Sequence, residues 1–133
     1  MDDEIRRQIT ELVADSFALA YPTIPLVTDN EPFNWDSPPE AFVEFEVELL
    51  HGAQIGMSSR PKTRISGYVY ISVKVREGTG AALAAELRSW FSSTLEYQST
   101  DLVRLQAAAR DGSSRSRGWY FLDLKVPFYA DSP

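Results

Sequence analysis

Four groups of residues in this 133-residue chain have types and spacings that could do chemistry: one histidine, three evenly spaced glutamates, an Asp-Leu-Lys tripeptide and a glycine-bearing turn. His51 is the sole histidine and stands beside Gly52 in a polar stretch. A Ser-His-Asp triad would need it beside an activated serine, but no G-x-S-x-G elbow is present, so a solvated histidine is the plainer reading. Glu44, Glu46 and Glu48 alternate with apolar residues, which puts all three on one face of a strand. Successive members are then about 6.6 Å apart, too far to close one coordination sphere, and the row reads as solvated or salt-bridged. Asp123-Leu124-Lys125 has the D-x-K form of some metal-dependent nucleases, in which the acid holds Mg²⁺ and the lysine supports the attacking water. Asp101 or Asp111 would have to supply the second carboxylate, the order of helices and strands differs from that of such nucleases, and an ordinary polar strand edge explains the tripeptide better. Glu77-Gly78-Thr79-Gly80 lacks both G-x-x-x-x-G-K-[ST] and G-x-G-x-x-G, so it reads as a turn and helix cap. With no cysteine, disulfides, thiolate nucleophiles and zinc-finger spacings are excluded. No catalytic, cofactor-binding or metal residue is assigned, and the expectation is a cofactor-free protein that is not an enzyme.

The basic residues fall in two stretches, Arg60, Lys62 and Arg64, then Arg110, Arg115 and Arg117. Placed at corresponding ends of two hairpins they would make one positive surface. No aromatic residues are interleaved as a single-strand groove requires, so docking on an acidic protein surface or brushing passing DNA fits better than sequence reading. The net charge of -6 is unevenly distributed: residues 1–50 hold 12 acids against Arg6 and Arg7, whereas residues 51–133 hold 7 acids against 11 bases. Opposite charge in the two halves favours head-to-tail self-association, unless the charges mix on the folded surface.

The elements that would position these groups follow from periodicity. Ile5, Ile9, Leu12, Val13 and Phe17 predict an amphipathic helix over 3–20, with Asp2, Asp3 and Glu4 at the dipole's positive end. Pro22, Pro25, Pro32, Pro38 and Pro39 predict an extended arm over about 21–40. Its apolar residues, among them Ile24, Leu26, Phe33 and Trp35, either pack across their own domain or wait for a neighbouring subunit. Alternation predicts strands over 41–50 and 65–76, joined by a long, mobile, basic loop over 51–64. Thr79 then caps a second helix to about Leu95, buried along Leu83, Leu87, Trp90, Phe91 and Leu95. A weaker strand over 102–109, a turn at Asp111 to Ser114 and a last strand over 119–129 complete the chain. The expected fold is α+β: a four-stranded, mainly antiparallel sheet with two helices on one face, in the order α-β-β-α-β-β. Trp119 and Phe121 fall on the other face, as an aromatic patch suited to subunit contact.

At 44% hydrophobic and 12% aromatic residues the chain can build one core, so a single domain spanning 1–133 is expected. Its acidic N-terminus is unlike a secretory signal, and no apolar stretch approaches the roughly 20 residues of a membrane helix.

Several stretches together resemble one family. Ile24-Pro25-Leu26-Val27-Thr28-Asp29-Asn30-Glu31-Pro32-Phe33, Pro38-Pro39 and Phe42-Val43-Glu44 are similar to the segment between first helix and first strand in phage tail terminator-like proteins, including prophage-encoded minor tail proteins. Arg64-Ile65-Ser66-Gly67, Glu77-Gly78-Thr79-Gly80, Gly118-Trp119-Tyr120 and Val126-Pro127-Phe128-Tyr129-Ala130-Asp131 continue the likeness over nearly the whole chain. The resemblance implies a structural protein of the virion tail, assembled in the bacterial host cytoplasm as a homo-oligomeric ring, typically a hexamer. Such a ring ends polymerisation of the tail tube and offers a docking surface to the head-tail connector. Its partners would be itself, the tube protein and the connector, with no membrane and no sequence-specific nucleic acid. Phe33, Trp35, Trp119 and Phe121 become candidate subunit contacts, and Arg60, Lys62, Arg64, Arg110, Arg115 and Arg117 candidate lumen or docking positions. Other neck proteins, head-tail joining or tube subunits, share such features, and a small metal-dependent nuclease using Asp123 and Lys125 is the alternative from another class.

Overall fold

The computed structural model describes residues 2–28, 39–55, 62–78, 81–116 and 118–131. Two helices, α1 (Asp2–Ala20) and α2 (Ala81–Leu95), accompany strands β1 (Leu26–Val27), β2 (Ala41–Ile55), β3 (Lys62–Arg76), β4 (Val103–Leu105), β5 (Ala109–Ser116) and β6 (Trp119–Asp131). The architecture is α+β as expected, but the sheet has six strands instead of four and is mixed. Its order is β1-β2-β3-β6, with β4 and β5 both lying along the far side of β6.

α1 forms because apolar residues recur every fourth position: Ile5, Ile9, Val13 and Phe17 are all buried. Each such side chain contributes about 2 kcal/mol by leaving water. Asp2, Asp3 and Glu4 occupy the first turn, and Arg7 bridges Glu4 and Glu11, its Nη1 lying 2.6 Å from Glu11 Oε1. Pro22 follows the last turn, where the Tyr21 N–H donates to the Phe17 carbonyl at 2.8 Å. α2 buries Ala84, Leu87, Phe91 and Leu95, while Leu83 and Trp90 are half-buried at its flank. Phe17 stacks on Phe91 at 5.2 Å and meets Trp90 edge-on at 5.3 Å, which locks the two helices together.

Alternation builds the sheet's inner face. Val43, Phe45 and Val47 of β2, Val69, Ile71, Val73 and Val75 of β3, and Leu122, Leu124, Val126 and Phe128 of β6 are buried with the helix stripes in one core. Gly67 belongs to this face because the Phe128 ring and the Glu48 carbonyl leave no room for a Cβ.

Three expectations are corrected. The stretch expected as a basic loop over 51–64 is strand at both ends: β2 runs to Ile55 and β3 begins at Lys62, leaving only 56–61 outside the described residues. An irregularity between Leu49 and Gly52 shifts the register and breaks the alternation, which hides this part of the hairpin from periodicity. The stretch expected as a turn at Asp111 to Ser114 is the middle of β5, a polar strand with Gly112 at φ 121° beside a register shift. The single strand expected over 102–109 is divided into β4 and the start of β5, and Pro127 explains the break. It lacks an N–H on the side of β6 where Gln106 donates to its carbonyl at 2.9 Å, so the ladder stops there and restarts. Within the Pro-rich arm, β1 pairs parallel with Val43 and Glu44, and Ile24 and Leu26 pack on the core. Residues 29–38 lie outside the described residues.

Candidate functional site

Helices cover one face of the sheet; the other carries alternate residues of β2, β3 and β6 and holds most of the candidate groups. Register aligns Phe42 with Lys74 and Phe121, Glu44 with Ser72 and Asp123, Glu46 with Tyr70 and Lys125, and Glu48 with Tyr68 and Pro127. The glutamate row therefore faces the Tyr and Lys row as its alternation implies, and Lys74 Nζ pairs with Glu44 Oε2 at 2.8 Å. Glu46 and Glu48 are exposed and make no ion pair among the described residues.

Cations of the chain's own strands rest on the aromatic rings. Lys125 Nζ lies 4.0 Å from the Tyr68 ring centre and 5.3 Å from that of Tyr70. Arg76 lies 4.7 Å over Trp119, Lys74 5.1 Å over Phe121, and Arg64 4.2 Å over Tyr129. Trp119 also meets the buried Phe42 edge-on at 5.2 Å. Trp119 and Phe121 are thus half-buried under cations, and the face is a ladder of cation–ring pairs. One group in it is unmatched: the buried Asp123 Oδ1 has no hydrogen-bond partner, and it borders a depression of about 350 Å³ lined by Glu46, Tyr70 and Ser72.

Asp123 and Lys125 take successive outward positions on β6, but the lysine ammonium is held over tyrosine rings. Among the described residues no group of three His, Cys, Asp or Glu side chains could hold a metal ion. His51 stands in β2 and Asp101 in the turn after α2, on separate elements. Among the described residues no helix is long and apolar enough to cross a membrane.

Of the two basic stretches, the described side chains Arg64 and Arg115 are not brought together. Arg64 aligns with Asp131 at one end of the sheet, whereas Arg115 aligns with Tyr120 near the other, where Arg76 faces Trp119. The twelve steps along β3 from Arg64 to Arg76 span about 40 Å. Arg64 is tied to Asp131, with Nε 2.7 Å from Oδ1, and this bond holds the guanidinium above its ordinary pKa. Lys62 opens β3 and Arg110 lies in β5 opposite Leu124. Phe33, Trp35, Arg60 and Arg117 lie outside the described residues.

Two features escape a reading of residues alone. Tyr97, after the last turn of α2, has φ 61°, a position where glycine or asparagine is usual, and it is 71% exposed. The unmatched Asp123 oxygen depends on sheet register. A bulky residue at the expected stop of α2 is the only signal for the first; nothing local marks the second.

No protein-family model and no curated protein matches the sequence. A solved structure of a protein that carries no functional name is similar to this chain with a TM-score of 0.78, at 15% identity, over 100% of this chain and 97% of that one. At that identity the likeness shows the fold alone.

Proposed function

We propose that this chain is a tail-terminator-like assembly protein: a ring of copies that caps a finished phage tail tube, stops its growth and receives the head connector. The observation that carries the reading is the uncovered sheet face. It has a dense row of rings and charges and a buried carboxylate oxygen without a partner. A polar surface built this way suits protein contact, where a neighbour supplies the missing donor. The sequence resemblance over nearly the whole chain supplies the identity of the assembly. Basic groups at both ends of the sheet support it further, because a cap must meet one partner above and another below. Electron microscopy of tails made with and without the protein tests the proposal: overlong or unjoined tails in its absence are expected, and normal joined tails would refute it.

A second reading, a tube or head-tail joining subunit, is favoured by the β2–β3 hairpin, whose strands reach Ile55 and Lys62. It predicts that the purified protein polymerises into tubes or is a stoichiometric component along the tail.

A further inference from the structure

Several charges of the uncovered face are met within the fold: Lys74 by Glu44 at 2.8 Å, Arg64 by Asp131 at 2.7 Å, and Lys125 by the Tyr68 and Tyr70 rings at 4.0 and 5.3 Å. The depression of about 350 Å³ across β2, β3 and β6 is different, because Glu46, Tyr70, Ser72 and Asp123 come together there with their polar ends unmatched. Among the described residues none of these four ends has a hydrogen-bond or ion-pair partner. Tyr70 aligns with Glu46 and Ser72 with Asp123, so the four make a quadrilateral with the carboxylates at opposite corners. Two strand spacings, about 10 Å, separate those corners across the sheet. The Asp123 Oδ1 atom is itself buried, and a buried carboxylate oxygen that no donor reaches opposes folding, so it calls for a donor from outside the fold. On the far flank of Asp123 the aligned residue is Gly112, with nothing within 4 Å of where a Cβ would stand, so no side chain at that position of β5 closes the depression.

Charge and donor geometry select the ligand. Glu44, next in the row, is neutralised by Lys74, which leaves the Glu46 and Asp123 carboxylates against the Lys125 ammonium over the neighbouring Tyr70 ring. One further positive charge balances them. A divalent ion would overshoot, and among the described residues no group of three His, Cys, Asp or Glu side chains could hold one. Two carboxylates at opposite corners, with two hydroxyls between them that can also accept, require N–H groups pointing to several sides at once. A guanidinium carries five N–H donors in one plane and is weakly hydrated, whereas an ammonium gathers three around one strongly hydrated point.

We propose that the depression between Glu46 and Asp123 is a binding site for a guanidinium group. The ligand donates to the Asp123 carboxylate from one side and to the Glu46 carboxylate from the other, and the Ser72 and Tyr70 hydroxyls accept from its remaining N–H groups. The recognition is the same whether the guanidinium belongs to a free small molecule or to an arginine side chain. It does not rest on the terminator reading, and it gives the unmatched Asp123 oxygen a donor that the fold does not supply.

The test is amide NMR of the purified full chain titrated with ethylguanidinium chloride. Saturable shifts confined to the surroundings of Glu46, Tyr70, Ser72 and Asp123 are expected, with propylammonium chloride binding about tenfold more weakly. Asp123→Asn and Glu46→Gln are each expected to weaken ethylguanidinium binding by about tenfold, although Asp123→Asn melts no lower than the wild type, which a merely structural aspartate would not do. Glu48→Gln, two residues along the same face and exposed, is expected to change it by less than about twofold. N-acetylarginine amide is the second ligand: affinity equal to that of ethylguanidinium assigns the site to an arginine side chain on a polypeptide, and binding of ethylguanidinium alone assigns it to a free guanidine. No saturable binding of either below about 10 mM, propylammonium or Mg²⁺ shifting the same amides as strongly, or an Asp123→Asn variant that binds like the wild type would each overturn the proposal. Overlong tails in the tail experiment alongside such a failure would leave the terminator reading standing, and normal tails alongside saturable binding would leave the site standing without it.

Discussion

Replacing Gly67 with alanine tests the packing argument most directly. The added Cβ would fall within the contact distance of the Glu48 backbone oxygen and 2.8 Å from Phe128 Cζ. Neither obstacle yields easily: the oxygen belongs to β2 at its junction with β3, and the Phe128 ring is 2% exposed, enclosed by the core. Relief requires parting β2 from β3 next to the Leu49/Gly52 irregularity or forcing the ring inward. Overpacking of this kind costs up to about 3 kcal/mol. For a chain of this size each kcal/mol lowers the melting temperature by about 4 °C, so a fall of about 12 °C is expected by circular dichroism. Gly78→Ala is the control, because nothing lies within 4 Å of its added Cβ and only φ 91° opposes it. Left-handed strain of about 1 kcal/mol predicts a fall of about 4 °C there. If the Gly67 variant melts within about 2 °C of the wild type, or above the Gly78 variant, the claimed close approach of strand and ring is wrong.

Asp123→Asn removes a charge whose buried oxygen has no partner, and should stabilise the isolated chain by about 1 kcal/mol in denaturant titration; a loss of that size would reveal a partner within the fold. Gln8→Ala deletes the acceptor for the Thr100 hydroxyl and for the Leu102 N–H at 3.1 Å, and should cost about 2 kcal/mol, measured the same way; no loss would mean that α1 is not tied to that turn. Arg7, and then Gln8, donate to the Glu4 carboxylate and hold its pKa down at about 2, against an ordinary value of 4.5. The stabilisation is therefore complete above pH 4.5 and is lost as pH falls toward 2, so melting of Glu4→Gln should be less acid-sensitive in that window. Burial, then Glu86, raises the Tyr21 pKa above 10.0; its contribution is complete below that pH and is lost as pH rises through the folded value, which spectrophotometric titration of a Tyr21→Phe variant would reveal by difference.

Much of the fold was legible because burial writes itself as a period. The stripe Ile5, Ile9, Val13, Phe17 and the alternations of β2, β3 and β6 each place a side chain correctly inward or outward without knowledge of the partner. What escaped depends on partners distant in sequence. β1 is two residues behind a proline and exists because Val43 donates to the Pro25 carbonyl at 3.0 Å. β5 is an edge strand of Arg, Asp, Gly and Ser, whose composition alone says turn, and it is held by β6. The uncovered face was readable as a mixture of charge and aromatic residues, but the pairing of Lys125 with Tyr68 and Tyr70 follows from register, as does the separation of Arg64 from Arg115.

Pro127 has a mechanical consequence. Because the ladder along β6 is interrupted there, β4 and β5 are separate zippers on one track, and opening of one does not propagate to the other. Amide exchange in β5 can be fast while β4, anchored by the buried Val103 and Leu105, stays protected. The chain can therefore remodel one stretch of its border when it meets a neighbour, leaving the seam beside Phe128 to Ala130 intact.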